Sequence, residues 1–300
     1  MKLDRGISGA MAVVVLAGCL VPEFHTEDFI SLEKNMRFQE IGEEVDLKAR
    51  SEMKKESDRV LALGMNNTFK EGGGFSRKDF KEIEKGVVRI SLIFSDETNP
   101  AVSDFSCTGW PIKTEDPDSL IFALAGHCFK SPGRLTWVDF CRLSVDPFIF
   151  SATESEFKYA IDPYNDQALI KIPRPKNLPA DFNELDWEEG ATIENGTFLL
   201  QAGYPGEFIF DNVLFAPVVT VMGPKGDRSR LDFWTLESDL GSYPGSSGAP
   251  MAMKDKNGRL KIVAIQTDSV SVQDKKTGEI FKRAIIRSLI FSPLLAQLGY

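Results

Sequence analysis

Only two histidines occur in the 300 residues, His25 and His127, so any chemistry that needs an imidazole rests on one of them. His127 closes the segment Ala123-Leu124-Ala125-Gly126-His127-Cys128. Two later segments carry a carboxylate and a hydroxyl in conspicuous settings, Asn165-Asp166-Gln167-Ala168-Leu169-Ile170 and Gly245-Ser246-Ser247-Gly248-Ala249-Pro250. A serine hydroxyl is a poor nucleophile near neutral pH until a base within hydrogen-bond reach takes its proton. Imidazole titrates in the right range to take that proton and return it. A carboxylate on the far side of the ring fixes the tautomer and stabilises the imidazolium formed during attack. The types therefore assign His127 as base, with Asp166 and the nearby Asp162 as rival acids. Ser247 is preferred to Ser246 because Gly245 lies two residues before it and Gly248 one after. Glycine at 245 permits a tight turn and a close approach, so the N–H groups of Gly245 and Ser247 can converge on a developing oxyanion. The four cysteines show no Cys-x-x-Cys pair, which removes the usual structural zinc spacing. Acyl transfer of this kind needs neither a metal nor an organic cofactor.

Taken in order, His127, Asp166 and Ser247, separated by 39 and 81 residues, resemble the catalytic triad of the chymotrypsin-like (trypsin-like) serine peptidases, over roughly Gly86 to Tyr300. The resemblance implies two antiparallel six-stranded β-barrels followed by a C-terminal helix. It favours Asp166 over Asp162, because the family places its acid just before an apolar strand, here Ala168-Leu169-Ile170, although Gln167 stands where an aliphatic residue is commoner. It implies a disulfide between Cys107 and Cys128, leaving Cys141 as a buried hydrophobe. It implies a primary substrate pocket with Gly241 at its base beside Ser242 and a wall formed by Gln266, Thr267, Asp268 and Ser269. With no carboxylate at Gly241, a small or apolar side chain before the cleaved bond is expected, Asp268 being the one charge that could alter this. Ser246 stands where animal members carry an Asp that pairs with a newly cleaved amino terminus, so activation by that ion pair is not expected.

The elements that must position these groups are short. Val87 to Ile90, Leu120 to Leu124, Ala168 to Ile172 and Lys261 to Ile265 are apolar runs rich in β-branched or aromatic residues, which read as strands. Turn signals separate them at Asp116-Pro117-Asp118, Tyr204-Pro205-Gly206, Gly223-Pro224-Lys225-Gly226, Asn257-Gly258 and Lys276-Thr277-Gly278. Asn257-Gly258 between two apolar runs predicts a hairpin with a type I′ turn, positive φ at both central residues. Ser292 is the expected cap of a final helix, with Pro293 at its first position. Regularly spaced strands over about 200 residues without helical periods indicate an antiparallel barrel or sandwich.

Residues 26–85 differ in texture, with 14 acidic and 12 basic residues among 60. Ile41, Val45, Ala49, Met53 and Val60 fall on or near an i, i+4 stripe, which predicts a long, weakly amphipathic helix ending near Gly64. Gly72-Gly73-Gly74 is a hinge. A short helix then starts at Ser76, whose spacing to Asp79 has the capping-box form, and closes at Gly86 in the left-handed conformation. At the amino terminus, Lys2 and Arg5 precede an apolar run, Ile7 to Ala17, of about eleven residues, too short to span a hydrocarbon core of roughly 30 Å. It ends in Leu16-Ala17-Gly18-Cys19, which resembles the lipobox of bacterial lipoproteins. Residues 1–18 are thus expected to be a lipoprotein signal peptide, Cys19 the lipidated residue, 19–85 a charged helical stalk and 86–300 the peptidase domain. Leu20 after the cysteine favours the outer membrane in a Gram-negative host. The balance of 35 basic against 44 acidic residues, net −9, gives no general attraction for nucleic acid. Protein or peptide substrates and a membrane reached through lipid are the expected partners. The alternative function is a catalytically inert, peptidase-like binding or adhesion lipoprotein.

Overall fold

A computed structural model of the chain describes residues 73–95, 103–131, 133–142, 148–194, 196–204, 218–222, 234–237, 245–273 and 280–300. The segments expected to be a signal peptide and a long stalk helix, with Cys19, Gly241, Ser242 and the turns expected at 205–206, 223–226 and 276–278, lie outside the described residues.

The apolar runs form strands, as expected. Strands β1 (Val88–Ser95), β2 (Ser103–Ile112), β3 (Ser119–Ala125), β4 (Arg134–Arg142), β5 (Phe148–Thr153), β6 (Lys158–Asp162) and β7 (Gln167–Pro173) make one antiparallel sheet in the order β5-β4-β1-β2-β3-β7-β6. It holds seven described strands where six were expected. The sheet curls because β2 pairs with β1 up to Gly109 and with β3 from Trp110 onward. Strand β3 is buried along its whole length, so its near-continuous apolar sequence reflects burial of both faces rather than alternation. Its Leu120, Phe122 and Leu124 enter a core with Ile90, Leu92, Val138 and Phe140. Aromatic rings fill that core, Phe122 lying 4.4 Å from Phe140 and Phe140 4.9 Å from Phe150.

The second half comprises β8 (Phe198–Gln201), β9 (Val218–Met222), β10 (Trp234–Glu237), β11 (Pro250–Lys254), β12 (Leu260–Gln273) and β13 (Ile280–Ser288). These six close on themselves in the order β10-β13-β12-β11-β8-β9, around Leu199, Val221, Met251, Val263, Ala284 and Ile286. Closure leaves no unpaired edge. Two antiparallel sheets in chain order followed by a short helix is the all-β architecture expected of a chymotrypsin-like chain.

Local details differ from expectation in three places. The β11–β12 hairpin forms, but Asn257 does not have positive φ; only Gly258 does, at 76°. The Asp255 carboxylate accepts the N–H groups of Asn257 (2.8 Å) and Arg259 (2.9 Å), drawing the chain into a longer loop from Asp255 to Arg259 instead of a type I′ turn. Helix α1 (Arg77–Glu84) starts at Ser76, where the Asp79 carboxylate accepts the Ser76 N–H at 2.6 Å and its hydroxyl at 2.8 Å. It does not end through a left-handed Gly86. Lys85 caps it in the right-handed region, and Gly86 serves close approach, since a Cβ there would lie 2.5 Å from the Asn183 carbonyl oxygen. Helix α2 (Ser292–Leu298) includes Ser292 as its first residue, capped at Phe291, with Pro293 second. The Glu189 carboxylate accepts the Ser292 N–H at 3.2 Å, which supplies the cap from outside and frees Ser292 to enter the helix.

Helix α1 is fastened to the β structure. Phe75, Phe80 and Ile83 are buried, and Lys254 on β11 reaches Asp79 at 2.7 Å and the Gly74 carbonyl at 2.7 Å. Burial alone would raise the Asp79 pKa, but Lys254 and the Ser76 donors hold it below its ordinary 3.8. Among the described residues no helix is long and apolar enough to cross a membrane.

Candidate active site

His127 sits in a 3-10 turn, Gly126–Phe129, immediately after β3. Asp166 immediately precedes β7. Because β3 and β7 pair with Ala125 opposite Gln167, the residue after one strand and the residue before the other are necessarily neighbours. The Gly126 N–H donates to the Asp166 carbonyl at 2.9 Å. One Asp166 carboxylate oxygen accepts the His127 backbone N–H at 2.6 Å, and the other lies 2.8 Å from His127 Nδ1. The acid therefore grips the backbone and the ring of the base together. It does so from φ 55°, the only positive φ at a non-glycine residue among those described. Such a conformation is held by its surroundings and is concentrated at functional sites.

The rival Asp162 serves a different purpose. Its carboxylate accepts the N–H groups of Tyr164 (2.9 Å) and Asn165 (3.0 Å) and the Asn165 side-chain amide (2.6 Å). Burial would raise its pKa, but these donors, with Arg287 nearby, hold it below 3.8. Asp162 shapes the turn that delivers Asp166.

Ser247 Oγ stands 2.9 Å from His127 Nε2, so all three side chains come into one hydrogen-bonded line from segments up to 120 residues apart. The tight turn around Ser247 uses left-handed glycines on both sides, Gly245 at φ 88° and Gly248 at φ 91°. Gly248 also meets β2 closely, a Cβ there falling 2.1 Å from the Thr108 carbonyl oxygen. Its N–H donates to the Gln266 carbonyl at 2.8 Å, and the Ala249 N–H to that of Ser246 at 2.9 Å. Ser246 is buried while Ser247 is partly exposed, which agrees with the choice between them. The Ser247 carbonyl accepts the Thr108 N–H at 2.9 Å, which holds the turn against β2.

Cys107 and Cys128 are joined in a disulfide, which ties β2 to the turn carrying His127. Cys141 is buried and takes no part in a disulfide. Of the expected pocket wall, Gln266 and Thr267 are buried and Asp268 is exposed, on either side of a register shift in the β12–β13 ladder. Ser269 pairs with Ala284. The Gln266 side-chain oxygen accepts the amide of Gln201, placing a buried polar pair behind the nucleophile loop.

Two contributors escaped sequence reasoning, and a third was noticed without its role. Thr108, fully buried, bonds the nucleophile loop, yet a threonine in a strand is ordinary and gives no signal. Gln201 is legible only through its distant partner. Gln167 was visible as a polar residue opening an apolar strand. Its buried amide donates to the Ser288 carbonyl at 2.7 Å and accepts the Ile290 N–H at 3.0 Å, stitching the acid's strand to the segment leading into α2.

No protein-family model matches the chain, and no curated protein matches it. Among solved structures, human heparin binding protein is similar over 72% of this chain and 92% of its own, at 18% identity with a TM-score of 0.46.

Proposed function

We propose that this chain is a serine endopeptidase that cleaves peptide bonds through an acyl-enzyme intermediate, exported and held at a bacterial envelope membrane by lipid on Cys19. The observation that carries the reading is the continuous line from Asp166 through His127 to Ser247, with contacts of 2.8 and 2.9 Å. In that arrangement Nε2 takes the Ser247 proton as Oγ attacks the carbonyl carbon. Asp166 holds the Nδ1 proton in place and offsets the positive charge that the ring acquires. The carbonyl oxygen, now negative, is received by the N–H groups of Gly245 and Ser247. The imidazolium then protonates the leaving amine, and water attacks the acyl ester by the same route in reverse. Neither a metal nor a redox group enters the sequence of steps. The reading is tested by incubating residues 73–300 with a mixed peptide library and identifying new termini by mass spectrometry. Wild-type protein is expected to generate them and the Ser247→Ala protein none. New termini from both, or from neither, would overturn it.

A further inference from the structure

Two adjacent residues on β2 are tied in opposite directions. Cys107 is bonded to Cys128, the residue after the base. Thr108 is bonded to the loop of the nucleophile: its hydroxyl donates to the Gly245 carbonyl at 2.8 Å, and its N–H donates to the Ser247 carbonyl at 2.9 Å. The same hydroxyl accepts the Tyr204 N–H at 2.9 Å. A threonine hydroxyl has one proton to give, and here it goes to Gly245, while Tyr204 fills a lone pair and fixes the rotor. Both bonds to the loop thus fall on the two residues whose N–H groups are assigned to the oxyanion. Valine or isoleucine would suit a buried strand position equally well. The hydroxyl is what an aliphatic side chain lacks.

We propose that Thr108 is a positioning residue for acyl transfer: its buried hydroxyl anchors the Gly245 carbonyl and so limits backbone rotation at this left-handed glycine, keeping the oxyanion donors aimed before substrate arrives. The proposal rests on the peptidase reading above. With the hydroxyl removed, Gly245 keeps its conformational freedom and loses its anchor, so the donors sample other orientations and acylation slows while the fold persists. A purely structural role would lower stability without a selective effect on the rate of the folded enzyme.

The test compares wild type, Thr108→Val, Thr108→Ala and Thr108→Ser in the full chain, reading the second-order rate of modification by a fluorophosphonate and the final labelled stoichiometry. Thr108→Val is expected to label about 10- to 100-fold more slowly at unchanged stoichiometry, the size of effect that a small misplacement produces. Thr108→Ser is expected to return to within about threefold of wild type, because the donor is restored. Should the valine protein fail to fold, the alanine protein is read in its place, with the labelled stoichiometry defining its folded fraction. A valine or alanine protein that labels at the wild-type rate overturns the proposal, as does a serine protein that is equally slow. Folded wild type that takes no label removes the peptidase reading and the inference with it, an outcome distinct from equal labelling of all four proteins.

Discussion

On the proposed reading, His127, Asp166 and Ser247 have separate tasks, those of base, orienting carboxylate and nucleophile, joined by contacts of 2.8 and 2.9 Å. His127→Ala is expected to lower turnover by about 10⁴-fold or more, with little change in substrate binding. Asp166→Asn should lower it by about 10⁴-fold by admitting the wrong tautomer; steady-state kinetics on a cleaved peptide checks both. Gly248 makes a sharper structural demand, since a side chain there meets the Thr108 carbonyl at 2.1 Å with φ at 91°. Gly248→Ala is therefore expected to destroy activity and to depress the melting temperature together. The three residues were legible from the order and family resemblance of their motifs, which also chose Asp166 over Asp162, while the flanking glycines chose Ser247 over Ser246. Thr108 and the Gln201–Gln266 pair were not, because a buried hydroxyl or amide is explained by a partner that lies, for Thr108 and Gly245, 137 residues away.

At the scale of elements, the pairing of β3 with β7 sets the distance between base and acid, and Gln167 locks the end of β7 to the segment before α2. Gln167→Leu would leave the Ser288 carbonyl and the Ile290 N–H without their partner. It is expected to cost about 1–3 kcal/mol in denaturant unfolding, with a loss of activity that follows the loosened acid. The turn carrying Asp166 also has a pH signature. The folded pKa of Asp162 lies below 3.8 against the pull of burial, so acid protonates this group in the unfolded chain first. Its contribution to stability is complete above pH 3.8 and is lost as pH falls through the lower folded value. Asp79 follows the same rule through Lys254. Melting temperature should therefore fall on acidification below about pH 4, and less steeply in Asp162→Asn than in wild type. Strand positions and both hairpin arms were readable from apolar runs and turn residues. The turn type at Asn257 was not, because the Asp255 carboxylate overrides the Asn-Gly preference, and the start of α2 depends on Glu189, a partner from elsewhere in the chain.

Across the whole molecule, the β structure does not begin at Gly86 in any energetic sense. Phe75, Phe80 and Ile83 are buried and Lys254 binds Asp79. A protein starting at Gly86 is therefore expected to unfold at lower denaturant than one starting at Gly73, because it loses three buried apolar side chains and exposes the surface they cover. The two antiparallel sheets and the final helix could be read from strand spacing and from the family resemblance together. The fastening of α1 could not, because its weakly apolar sequence shows its buried face only once β11 is in place. Peptidase activity in this chain requires one chemical property above all, a Ser247 hydroxyl activated by His127. Its most direct measurement is peptide mapping after exposure of folded wild type, His127→Ala and Ser247→Ala to a fluorophosphonate. A single adduct on Ser247 is expected in wild type, strongly slowed in His127→Ala and absent in Ser247→Ala. An unmodified Ser247 in folded wild type, or an adduct that forms equally fast without His127, would contradict it.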